Sequence, residues 1–307
     1  MKSEKLSPRQ LAVAVLVGGL SIAAALAGRT DWRWLLACAP AGVLVGWLLL
    51  RRVGHGKLHP VLKALYGLLA VVLMAQALER AARRIHSAAG GRGDVRWLLV
   101  LLALPLVWMG WGKAAAFFRA TEILWLAVGV TTAAVLLLGA PRLEWVWVLE
   151  PSGGWLESLE GGIVMMATGL FVFPHLYKVE EEPGGVHRGL LWLGWLGVLG
   201  AALGLLTAGL LSPAVAAELD DPFFAAAGLL GDSARLEGLI SALWLLPDLV
   251  LAGLLSRSWG ERRWPALAVV AALGAALTGI AGALPDATLS LGCLVLAILT
   301  GVLPAGE

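Results

Sequence analysis

From Leu11 to Leu303 the chain repeats one pattern: an apolar window, a short charged or glycine-rich break, then another window. Each window runs to about twenty residues, enough for a helix to cross a bilayer. This pattern constrains the fold more than any motif does. A chain buried in hydrocarbon must satisfy every backbone N–H and C=O within itself, and only helices and closed barrels do so. The windows are continuous runs of Leu, Ala, Val and Gly with no period-two alternation, which disfavours a barrel. Composition agrees: the 307 residues are 59% hydrophobic and 14% charged, and mean hydropathy is +0.84. A soluble domain is nearer half apolar and a quarter charged. The expected class is an all-α integral membrane protein.

Ten transmembrane helices are predicted, at about Leu11–Ala27, Trp34–Leu50, Val61–Leu78, Trp97–Trp111, Phe117–Leu138, Gly161–Tyr177, Leu190–Leu211, Ser233–Leu255, Trp264–Leu284 and Ala287–Leu303. They form a single polytopic membrane domain, 1–307, with a first repeat at about 10–140 and a second at about 160–304. Glycines interrupt the first helix of each half, in V-G-G-L-S at Val17–Ser21 and A-T-G-L-F at Ala167–Phe171. A 5+5 inverted repeat with unwound first helices is the LeuT-like transporter architecture, where freed backbone groups hold substrate or ions. Gly18, Gly19, Ser21, Thr168, Gly169 and Phe171 are therefore candidate ligand positions. Close helix packing explains the same glycines equally well.

The segment Glu79–Arg96 is the most charged in the chain and contains Gly90-Gly91, so it reads as a loop. Lys and Arg otherwise favour the segments that share a side with the N-terminus, which puts both termini on the cytoplasmic side. Arg142–Glu160 reads as an interfacial linker carrying Trp145, Trp147 and Trp155. The net charge of +2 and the lack of a basic stripe argue against nucleic acid. Cys38 and Cys293 fall inside apolar spans, and the five histidines form no ligand cluster. No catalytic motif, metal signature or cofactor fingerprint is visible, so no enzyme activity is expected.

The eighth span carries Pro247 and Asp248 in its second half. A carboxylate beside a proline within a membrane helix is tolerated only where protein or water lines the site. Asp248 is about eleven residues beyond Glu237, or roughly 16 Å along a helix, which predicts a position near mid-membrane. Proline frees a backbone carbonyl one turn earlier. Asp248 is thus the leading intramembrane candidate, with Trp244 as a possible cavity wall and Tyr66 as a possible hydrogen-bonding group. Arg119 and Glu122, three apart, are expected to form a local ion pair. Arg235 and Glu237 are expected at the outer end of the span.

Several strings taken in order resemble the spore germination permease family, the B-type subunit of nutrient germinant receptors in the amino acid–polyamine–organocation superfamily. They are S-P-R-Q-L at Ser7–Leu11, Asp31-Trp32, G-K-A-A-A-F-F-R-A-T-E-I at Gly112–Ile123, Glu150-Pro151 and F-P-H-L at Phe173–Leu176. The most specific portion is Asp221-Pro222-Phe223-Phe224 followed by Arg235–Glu237 and Trp244. The resemblance implies a sensor of a small nutrient germinant, an amino acid, located in the spore inner membrane or bacterial cell membrane. It also implies two partners besides the bilayer, an A-type membrane subunit and a C-type lipoprotein. Two alternatives stand beside it. One is a secondary active transporter of amino acids or other small solutes, with Asp248 or Glu122 as coupling carboxylate. The other is a ligand-blind scaffold subunit of the receptor.

Overall fold

The computed structural model describes residues 7–53, 60–91, 93–176, 185–230, 240–259, 264–280, 292, 295 and 296. Among them the chain is helical, with no strand. The helices are α1 (Pro8–Leu26), α2 (Trp32–Val53), α3 (Pro60–Ala88), α4 (Val95–Trp111), α5 (Ala114–Gly139), α6 (Trp145–Leu149), α7 (Trp155–Leu176), α8 (Gly185–Leu211), α9 (Pro213–Glu218), α10 (Pro222–Gly228), α11 (Leu245–Arg257) and α12 (Trp264–Leu277). Among the described residues, five helical segments are long and apolar enough to cross a membrane: Arg9–Leu26, Pro60–Ala88, Ala114–Arg142, Leu191–Leu211 and Ile240–Arg257. The fold is compatible with an integral membrane protein. The expected tenth span falls almost wholly outside the described residues.

α1 is the centre of the bundle. It is buried nearly throughout and packs against α8, α11, α5 and α7. α2 lies against α8 and α7, while α3 lies against α11, α12 and α4. α1 and α3 both run antiparallel to α11: Gly18 faces Leu251, and Gly67 faces Trp259, while Ser21 and Arg84 both reach Asp248. Between apolar helices in lipid, close approach comes from small residues. On α8 a Cβ added at Gly204 would lie 3.2 Å from Trp32 Cβ, and Gly197 and Gly200 face Ala39 and Met165.

Three expectations are corrected here. The segment read as a loop from Glu79 is helical to Ala88, so α3 carries Glu79, Arg80, Arg83 and Arg84. The helix stops two residues later: Gly90 and Gly91 have φ of 74° and 72°. Their N–H groups donate to Ser87 O and His86 O, both at 2.9 Å, a glycine-terminated helix end that satisfies two of the last carbonyls. Second, Gly18 and Gly19 lie inside an uninterrupted α1. They are packing positions: a Cβ at Gly18 would sit 3.2 Å from Leu251 Cα, and one at Gly19 would overlap the Leu196 side chain. The α7 backbone is likewise helical through 168–171, and the side chains of Thr168 and Phe171 and the surroundings of Gly169 lie outside what is described. Third, the eighth span is interrupted by a turn at Trp244, so Pro247 and Asp248 fall in the first turn of α11. Proline is tolerated there because the first-turn N–H has no helical acceptor to lose.

The Arg142–Glu160 linker also holds more helix than expected, with α6 inserted and α7 beginning at Trp155. Asp31 caps α2, its Oδ1 accepting from Arg33 N at 2.9 Å. The Trp32 indole N–H donates to Val148 O at 3.2 Å and ties α2 to α6.

Candidate functional site

The strongest polar feature of the interior joins α1, α3 and α11. Asp248 is 1% exposed and Arg84 is 4% exposed, counted on the side chains. Arg84 Nη1 donates to Asp248 Oδ2 at 2.5 Å and to the Trp244 carbonyl at 3.1 Å. Ser21 Oγ donates to Asp248 Oδ1. Arg80, one turn before Arg84 on the same face of α3, donates to Ser21 Oγ at 3.3 Å and brings Nε to 3.9 Å from Asp248 Oδ1. An unpaired buried charge costs several kcal/mol. The cluster is tolerable because each carboxylate oxygen has a donor and the guanidinium of Arg84 has a counter-charge.

A second layer comes from the α8–α11 connection. Asp221 is the N-cap residue of α10, and its Oδ1 is 4.0 Å from Arg84 Nη2. Phe224, on α10, lies under the Arg84 guanidinium with the carbon 4.0 Å from the ring centroid, a cation–π contact. Phe223 packs on Trp244 with centroids 4.6 Å apart. Burial pushes the Asp221 carboxyl above its usual value, Arg84 opposes that shift and Asp248 adds to it. Arg29 fixes the connection by donating to Leu219 O and Asp220 O, both at 2.9 Å.

The site is not saturated. Arg84 Nε and Nη2 are buried with no hydrogen-bond partner among the described residues, and so is the Trp244 indole Nε1. A guanidinium offers five N–H donors and no acceptor. The open donors are therefore ones that an anionic or carbonyl oxygen would take. Among the described residues no group of His, Cys, Asp and Glu is placed to hold a metal.

Of the residues singled out from sequence, Ser21, Trp244 and Asp248 are brought together, with Gly18 one turn away along α1. Tyr66 is buried on α3, but eighteen residues before Arg84, or roughly 27 Å along the helix, so it belongs to another level. Arg235 and Glu237 lie outside the described residues. Asp248 falls midway along the apolar segment Ile240–Arg257. Its partner Ser21 lies five residues before α1 ends at Leu26, and Arg84 four residues before α3 ends at Ala88. Those offsets are about 8 Å and 6 Å. Glu122 is engaged across helices instead of by Arg119: Gln10 Nε2 donates to its Oε2 at 3.1 Å, and Arg9 Nε is 3.7 Å from its Oε1.

Hydropathy and spacing do not point to Arg80 and Arg84 as site residues, and Asp221 and Phe224 enter from sequence only through the strings of the resemblance. A signal for the first two was present, since A-L-E-R-A-A-R-R-I at Ala77–Ile85 is made of strong helix formers with arginines four apart. No family model matches the chain, and no curated protein matches it.

Proposed function

We propose that the chain is a permease-like subunit of a spore germination receptor, embedded in the bacterial cell or spore inner membrane with both termini cytoplasmic. It senses a small nutrient, an amino acid, and works with an A-type membrane subunit and a C-type lipoprotein. The resemblance of the quoted strings carries the family. The observation that best supports a ligand-responsive site is Arg84, a buried guanidinium held by Asp248 and within 4.0 Å of Asp221, with two nitrogens still lacking acceptors. A ligand carboxylate meeting those donors would draw Arg84 away from Asp248 and weaken the tie between α3 and α11. A ligand shifts such an equilibrium only by its differential affinity for the two arrangements.

The test is a screen of single amino acids for thermal stabilisation of the purified protein, since binding to the native state raises stability by mass action. At least one amino acid is expected to stabilise the wild type and to lose that effect in Arg84→Lys, where the fork geometry is gone. If no amino acid stabilises the wild type, the chain is a ligand-blind scaffold and the reading fails.

A second reading, a secondary active transporter in a LeuT-like ten-helix architecture, is favoured by the buried Asp248 carboxylate, because intramembrane carboxylates commonly serve ion or proton coupling. Concentrative uptake of the stabilising amino acid by the isolated chain in proteoliposomes would select transport over sensing.

A further inference from the structure

Away from that cluster, a crevice of about 350 Å³ lies between α4, α5 and α11. Trp108, Phe117, Ala120, Leu124, Leu246 and Leu249 wall it. Its volume lies at the small end of the range for ligand pockets, about 300–1,000 Å³. Thr121 carries the one hydroxyl of the lining, and that hydroxyl donates to Phe117 O at 3.0 Å. The wall is therefore apolar, and one side is open: Trp108 is 78% exposed.

One end of the crevice is basic. Lys113, the N-cap residue of α5, lines it. Arg257 closes the same end, donating to Met109 O at 2.5 Å and to Gly112 O at 2.8 Å. From Lys113 to Leu124 the crevice follows α5 for eleven residues, about 16 Å. From Arg257 back to Leu246 on α11 the distance is again eleven residues, about 16 Å. Half of a hydrocarbon core of about 30 Å is one leaflet. Depth, apolar wall and basic mouth together match a single lipid tail with a charged head.

We infer that this crevice holds one acyl chain of an anionic phospholipid, with the headgroup phosphate at Lys113 and Arg257. Basic groups between helices at the membrane surface draw anionic headgroups, each favouring them by about five-fold. The bound chain would lie against Leu246 and Leu249, which flank Asp248 in α11, so lipid occupancy and the arrangement of that helix are linked. The inference rests on membrane insertion and is independent of the germinant site.

The experiment is photolabelling of the full chain in nanodiscs, using phosphatidylglycerol or phosphatidylcholine with a diazirine-bearing tail. Labelled peptides are mapped by mass spectrometry. Phosphatidylglycerol is expected to label the Phe117–Leu124 and Leu246–Val250 stretches about 25-fold more than phosphatidylcholine, about five-fold for each of the two basic groups. Lys113→Glu should bring it to the phosphatidylcholine level, and Ala120→Trp, which fills the crevice, should remove the label from both stretches. Equal labelling by the two lipids, or labelling unchanged in Ala120→Trp, means annular contact only and overturns the inference. A chain that fails to enter nanodiscs at all overturns the membrane reading instead, and gel filtration of the assembled discs reads that outcome separately.

Discussion

Arg84 and Asp248 are 164 residues apart in the chain and 2.5 Å apart in the fold. Their pair ties the last turns of α3 to the first turn of α11, and Ser21 brings α1 into the same contact. Three helices from the two halves of the chain thus meet at one buried carboxylate.

Removing either member should be more damaging than removing both. Arg84→Met leaves Asp248 buried without its closest counter-charge, a loss of about 3–5 kcal/mol. The double variant Arg84→Met with Asp248→Leu should recover most of that loss, because an apolar pair of similar volume avoids the desolvation cost. Thermal unfolding of the single and double variants in one detergent checks the cycle. Additive losses would mean that the two side chains do not depend on each other.

Ser21→Ala removes a hydroxyl that donates to Asp248 Oδ1 and accepts from Arg80. A hydrogen bond to a charged group contributes about 1.5–3 kcal/mol, so this small change should cost more than a typical buried Ser→Ala. In the Asp248→Leu background the same substitution should be close to neutral. The comparison of the two melting shifts is the measurement.

Gly18→Leu should separate α1 from α11, because its Cβ would already be 3.2 Å from Leu251 Cα, a backbone atom. Overpacking of this kind costs about 1–3 kcal/mol. A hinge glycine behaves differently, altering ligand response at unchanged stability. Melting temperature and amino-acid stabilisation, measured on the same variant, distinguish the two roles.

Asp221 supplies a pH dependence of known sign. Its carboxyl is raised above 3.8, first by burial and then by Asp248, with Arg84 acting the other way. The native state therefore keeps a proton that the unfolded chain has released. The resulting stability is fully present below the ordinary Asp value and is lost as pH rises through the raised folded value. Wild type minus Asp221→Asn, followed by thermal unfolding from pH 4 upward, should show that decline. A difference that rises with pH would reverse the assignment.

Much of the architecture was legible because hydrocarbon burial leaves few options. Apolar windows marked most of the helices, and Pro247 with Asp248 marked the place where an apolar helix had to be compensated. The extent of α3 was not legible. Charge density and Gly90-Gly91 make Glu79–Arg96 read as a loop, yet tertiary packing keeps the helix going to Ala88, with Ala77, Ala81 and Ala82 fully buried and Arg83 turned outward. Gly18 and Gly19 were equally readable as a helix break or as packing positions, and the neighbours Leu251 and Leu196 decided for packing.

Local pattern alone makes the chain helical, rich in apolar spans, and burdened in one of them with a carboxylate beside a proline. Those properties follow from local composition and the cost of unsatisfied backbone groups in an apolar medium. Which cation answers that carboxylate was decided only by the tertiary structure. Arg80 and Arg84 reach Asp248 because α3 and α11 run antiparallel, and hydropathy and spacing carry no information about which helices become neighbours.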